Sequence, residues 1–167
     1  MNDSTVSKDT IVIERTFEAP VGLIWQLWTQ PEHFAKWYGP EGVTVTVDKM
    51  DVRIGGKHLF CMHMQTPDGV MKFWTTGEYT EIVPNERLVY TDSIADENGN
   101  IVSPASLGWD EDHPITTRVI VELQALGERT RLILRHEDVP SNTEGAADGW
   151  QQSFTKMENY LESVIAD

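Results

Sequence analysis

The chain has 167 residues, 27 of them Asp or Glu against 13 Lys or Arg, for a net charge of −14. That length fits one domain with a core large enough to enclose a cavity, and the acidity excludes the clustered basic face of a nucleic-acid reader and disfavours an anionic membrane surface. One cysteine, Cys61, rules out an internal disulfide, and no apolar run approaches the roughly 20 residues of a membrane span.

The opening "MNDSTVSKDT" is polar and lacks the basic and apolar parts of a signal peptide, so a cytoplasmic protein is expected. Residues 1–10 read as a flexible tail and 11–165 as a single domain. "IVIERTF" (11–17) alternates and is β-branched at its start, which predicts a strand. Pro20 then opens a short helix, "VGLIWQLWT", with Leu23, Ile24, Leu27 and Trp28 at helical spacing. Pro31 starts a second, "PEHFAKWY", which Gly39-Pro40 ends.

From Val43 to Asp138 the pattern is β. "VTVTVDKMDV", "KHLFCMHMQT", "MKFWTTGEYTEIV", "ERLVYTDSI", "TTRVIVELQAL" and "TRLILRHEDV" are six runs joined mostly by short turns such as Gly55-Gly56 and Pro67-Asp68-Gly69. Short turns between successive runs imply an antiparallel meander. The exception is "ADENGNIVSPASLGWDEDHP" (95–114), long and without periodicity, which is expected to gate a pocket. Its Leu107 and Trp109 suggest that it folds back on something.

The last stretch, about 142–165, predicts one long helix. Trp150, Phe154, Met157, Leu161 and either Val164 or Ile165 form an apolar face, with Gln151, Gln152, Lys156 and Glu162 opposite. That face needs a partner, and the sheet is the large one available. The fold class is therefore α+β: a seven-stranded curved antiparallel sheet wrapped around one long C-terminal helix, with two short helices after the first strand. A single long helix over so many strands leaves room for a cavity.

Strand parity names the candidate lining. His58, Phe60, Met62 and Met64 share a face, as do Phe73, Thr75, Gly77 and Tyr79, and Val119, Val121 and Leu123. His136 shares parity with Leu132 and Leu134 and is either a core histidine or a ligand contact. Trp28, Trp150, Phe154 and Met157 complete the set from the helices. Trp37 and Tyr38, set against the Gly-Pro stop, read either as a core plug or as the lip of the pocket. His58 and His63 point to opposite faces, so no metal site is expected. Nucleophile, phosphate-loop and dinucleotide motifs are absent, and no cofactor is expected. Glu14, Glu18 and Asp92 could act as acids or bases if buried, although strand charges are usually solvated.

"FEAP", "IWQLWTQPEHFAKWYGP", "VRIGGKHLFCM", "GEYTEIVPNERLVYTD" and "GWQQSFTKMENYLE", in this order, resemble the activator-of-heat-shock-chaperone-ATPase-homologue family of the START-like superfamily, which includes the birch-pollen allergens. The resemblance runs from about Ile11 to Glu162. It implies the helix-grip fold and a hydrophobic cavity between sheet and C-terminal helix. Three functions follow from it: binding of a small apolar molecule, a cyclase- or dehydratase-like enzyme using a cavity His or carboxylate, or a chaperone-interaction module. A homodimer stays open.

Overall fold

The computed structural model describes residues 8–107, 115–140 and 144–166. Strand β1 (Lys8–Phe17) leads into helices α1 (Val21–Thr29) and α2 (Pro31–Trp37). Strands β2 (Val43–Met50), β3 (Lys57–Thr66), β4 (Gly69–Val83), β5 (Arg87–Ala95), β6 (Thr116–Leu126) and β7 (Arg129–Pro140) precede α3 (Glu144–Ala166). One seven-stranded sheet has the order β1-β7-β6-β5-β4-β3-β2, and every neighbouring pair is antiparallel. This is the helix-grip arrangement: a meander whose first strand closes on its last, with one long helix across the inner face.

One expectation at the ends is corrected. Strand β1 begins at Lys8, because Lys8 and Asp9 pair with Pro140 and Val139. Three residues of the expected tail are therefore in the sheet. The described part of α3 begins at Glu144, and the expected start at residue 142 lies outside the described residues.

Residues 108–114 of the long loop, Trp109 among them, also lie outside the described residues. The described part is less irregular than its composition suggests. The Asp96 carboxylate accepts the N–H groups of Asn98 and Asn100, Ile101 bridges back to Ala95, and Pro104–Leu107 makes one 3-10 turn. Its gating role is an expectation carried forward.

Helix α3 seats Trp150, Phe154, Met157 and Leu161 on the sheet. Val164 rather than Ile165 continues that face, since Ile165 is 55% exposed. Helix α1 packs against β6 and β7, and α2 against β2 and α3. The two short helices thereby close one end of the sheet. The opposite sheet face carries an ion-pair ladder in which Arg87, Arg118 and Arg135 meet Glu81, Glu122 and Glu137.

Candidate functional site

The inner face divides into a sealed part and an open end. In the sealed part Trp37 is wholly buried, and its indole N–H donates to Leu27 O at 2.9 Å. Its ring meets Trp28 edge-on at 4.7 Å. Phe34 stacks on Tyr38 at 4.2 Å and lies 4.7 Å from Phe60. Phe154 and Met157 close over this cluster from α3, and Val119 and Val121 floor it from β6. Such aromatic packing adds to plain area burial. Trp37 thus packs as a plug, whereas Tyr38 reaches past it to place its hydroxyl 3.3 Å from that of Tyr90.

The turn after Tyr38 is held in an unexpected way. Lys156, placed on the solvated face of α3 by its helical spacing, instead turns its ammonium onto the backbone of residues 39–43. It donates to the carbonyls of Gly39 (3.1 Å), Pro40 (3.4 Å) and Val43 (3.0 Å). Burial lowers its pKa. Gln152 adds a second tether by accepting the Glu41 N–H at 2.9 Å. The turn stands beside the helix, so residues opposite the core face still find partners there.

At the other end, polar side chains converge on the inner face. His58 is buried, stacks on Phe60 at 4.3 Å and faces Tyr79 and Tyr90 edge-on. Its Nε2 lies 2.9 Å from Thr91 O, so Nε2 carries the proton and donates. To reach that carbonyl the ring crosses Gly77. A Cβ there would stand 1.8 Å from Thr91 O and 2.6 Å from His58 Nε2, which is why the position holds glycine. The remaining nitrogen, Nδ1, is a buried acceptor with no donor. Desolvation lowers the pKa of His58 to about 4.

His136 is fixed differently. The Trp150 indole can only donate, and it donates to His136 Nδ1 at 3.1 Å. His136 Nε2 must therefore carry the proton, which it gives to Thr117 Oγ1 at 2.8 Å. The Thr117 hydroxyl passes its own hydrogen to Asp92 O at 3.3 Å. A directed chain thus runs from α3 through β7 and β6 to β5. Burial pushes the pKa of His136 down to about 4, so both nitrogens are occupied in the neutral ring.

Of the two alternatives open for Asp92, the structure takes the buried one. It follows Leu88 and Tyr90 at period two, so its side chain faces inward. Burial raises its pKa to about 7, with the Thr75 hydroxyl acting in the opposite direction. The Thr75 contact misses hydrogen-bond geometry, so Asp92 Oδ1 and Thr75 Oγ1 are both buried without a partner. The Asp92 charge in turn helps burial raise the pKa values of Tyr38, Tyr79 and Tyr90.

Among the described residues, burial along the inner face is uneven. Met62, Phe73, Asp92, Thr117 and His136 are half-buried, whereas Phe60, Tyr79, Val119 and Val121 are sealed. Of the residues named from parity, Met62, Phe73 and His136 therefore belong to the half-buried set, and Trp150 from α3 bonds to His136 there. Trp28, Phe154 and Met157 lie in the sealed part. Parity also held the clue to Asp92, whose inward phase is set by Leu88 and Tyr90. Among the described residues no three His, Cys, Asp or Glu side chains could hold a metal ion. No helix among them is long and apolar enough to cross a membrane.

Residues 18–162 match the family described as activator of Hsp90 ATPase homolog 1-like protein. The chain belongs to this family. Solved structures carry the same fold over nearly the whole length of this activator-homologue-like chain. A protein from Chromobacterium violaceum is 27% identical, with a TM-score of 0.75 over 92% of this chain and 96% of that one. A protein from Arthrobacter aurescens is 24% identical, with a TM-score of 0.75 over 96% and 93%. An AHSA1 protein from Silicibacter pomeroyi is 19% identical, with a TM-score of 0.72 over 92% and 98%. No curated protein matches the chain.

Proposed function

We propose that this family member binds a small, largely apolar molecule between the inner sheet face and α3, at the Asp92 end. One observation carries the reading. The inner face is sealed beside the short helices yet only half-covered around Met62, Phe73, Asp92, Thr117 and His136. Apolar walls with a few convergent polar groups are the usual make-up of a ligand site. The test is native mass spectrometry of freshly purified protein, followed by titration with an environment-sensitive apolar dye. A bound species lost on denaturation, or a saturable one-to-one dye signal weakened by Phe73→Ala and unmoved by Val12→Ser on the outer edge, supports it. Absence of both a bound species and saturable dye binding would sink it.

A second reading is favoured by Asp92 alone. A carboxyl group raised to about 7 is poised for proton transfer near neutral pH. His136 has both nitrogens occupied, so the acid–base role of a cyclase-like enzyme would fall to Asp92. Turnover that follows a single ionisation and vanishes in Asp92→Asn would distinguish an enzyme from a carrier.

A further inference from the structure

We propose that the Asp92 end of this cleft receives the protonated amine of an apolar ligand, and that it rejects carboxylate- and phosphate-headed molecules. The inference rests on the binding reading above and names the class of head group. It starts from the direction of the unused hydrogen bonds. Among the described residues, Asp92 Oδ1, Thr75 Oγ1 and His58 Nδ1 on the inner sheet face are buried without a partner; the one unpaired donor of the interior, Trp28 Nε1, lies in the sealed part. Asp92 Oδ1 accepts when ionised. His58 Nδ1 accepts because Nε2 is committed to Thr91 O. Thr75 can do either. The vacancy therefore calls for a donor, and an ammonium group supplies donors only.

Charge points the same way. The Asp92 carboxyl is coupled to Tyr38 after α2, to Thr75 and Tyr79 on β4 and to Tyr90 on β5. The other polar groups of the inner face are His58 on β3, Thr117 on β6, His136 on β7 and Trp150 on α3. None is a cation at neutral pH, since burial keeps both histidines neutral. The basic side chains that reach α3 or extend from it are engaged elsewhere. Arg15 binds Gln151, Thr155 and Glu158, and Lys156 binds the turn carbonyls. A buried carboxylate left without a counter-charge is costly, and a ligand cation relieves that cost. An anionic head group would meet Asp92 with no basic partner among the described residues.

The experiment compares three probes of equal chain length, octylammonium, octanol and octanoate, by titration calorimetry at pH 8 with enough salt to screen the acidic surface. The parent protein should favour octylammonium over octanol by roughly tenfold or more, as expected for one buried charge-assisted hydrogen bond. Octanoate should bind weakest. Asp92→Asn should erase the preference while octanol binding persists, and Thr75→Val should reduce it. The preference should also fade as pH falls below about 7, where Asp92 takes up its proton. Equal binding of all three probes, or a preference that survives Asp92→Asn, overturns the amine assignment and leaves the binding reading standing. Failure of all three to bind overturns both.

Discussion

Replacing Lys156 by Met isolates the contribution of one ammonium group to the turn after α2. The stem keeps nearly the same length, and only the charge and its three donors are lost. Pro40 O retains the Val43 N–H at 3.1 Å, so the principal losses are at Gly39 O (3.1 Å) and Val43 O (3.0 Å). Hydrogen bonds to charged groups contribute roughly 1.5–3 kcal/mol each when well formed. Two effects reduce that figure. The ammonium itself is desolvated, as its lowered pKa records, and the site is only part-buried, so water replaces some of what is lost. The expected net cost is about 1–2 kcal/mol, read as a shift in the urea midpoint at unchanged slope. The pH dependence has a definite sign. A base whose folded pKa is lowered binds its proton more tightly in the unfolded chain. Parent stability should therefore rise as pH climbs from that lowered value towards 10.5, and the variant should lack this rise. Gln152→Met, which breaks the exposed tether to Glu41 N, serves as a comparison and should cost less. A Lys156→Met midpoint indistinguishable from the parent would mean that the ammonium is solvated and the turn holds itself.

Asp92→Asn should stabilise the protein by roughly 2–4 kcal/mol at pH 8. The folded state holds the Asp92 proton up to about 7 and the unfolded chain only to about 3.8, so parent stability falls across that window, and denaturation at pH 4 and pH 8 checks it. His136 acts in the opposite sense: its folded pKa near 4 lies below the ordinary 6.5, so stability is full above 6.5 and is lost as pH falls to 4. His136→Gln should remove close to one proton from the uptake measured on unfolding at pH 5. Gly77→Ala should cost more than about 3 kcal/mol or abolish folding, because the new methyl meets Thr91 O and the His58 ring, and a midpoint near the parent's would refute the crossing described for His58. Trp150→Ala should cost roughly 3–5 kcal/mol in urea denaturation, as for other large core truncations, with loss of the donor to His136 included.

The strands were legible because two signals agree in them. Strands β3 and β6 fall on the residues expected, Lys57–Thr66 and Thr116–Leu126, where alternation runs unbroken between turn residues. The family resemblance pointed to the same architecture. The site was legible only by face. Parity put Met62, Phe73 and His136 inward, but which inward residues stay half-covered depends on where α1, α2 and α3 land, and no local pattern encodes that. Asp92 stayed undecided because an acid on a strand is usually solvated, although its phase with Leu88 and Tyr90 was visible. Lys156 was misread for a related reason. Helical spacing tells which side faces the sheet, not that a turn stands on the other side.

The closure of β1 on β7 also sets the order in which the protein can assemble. Ile11 pairs with His136, Ile13 with Leu134 and Phe17 with Thr130, and the Thr130 hydroxyl donates to Ala19 O at 2.8 Å across the same seam. Strands β2 to β5 can zip in chain order through local hairpins, and so can β6 with β7, the long loop joining the two groups. The first strand made is the last to find its partner, so during synthesis its apolar side chains wait in water until β7 has emerged. Such non-local pairing is the slow kind, because the loop-closure entropy is spent before any contact across the seam repays it. The rate-limiting step in refolding should therefore be the sealing of this seam, with α3 settling as the sheet completes.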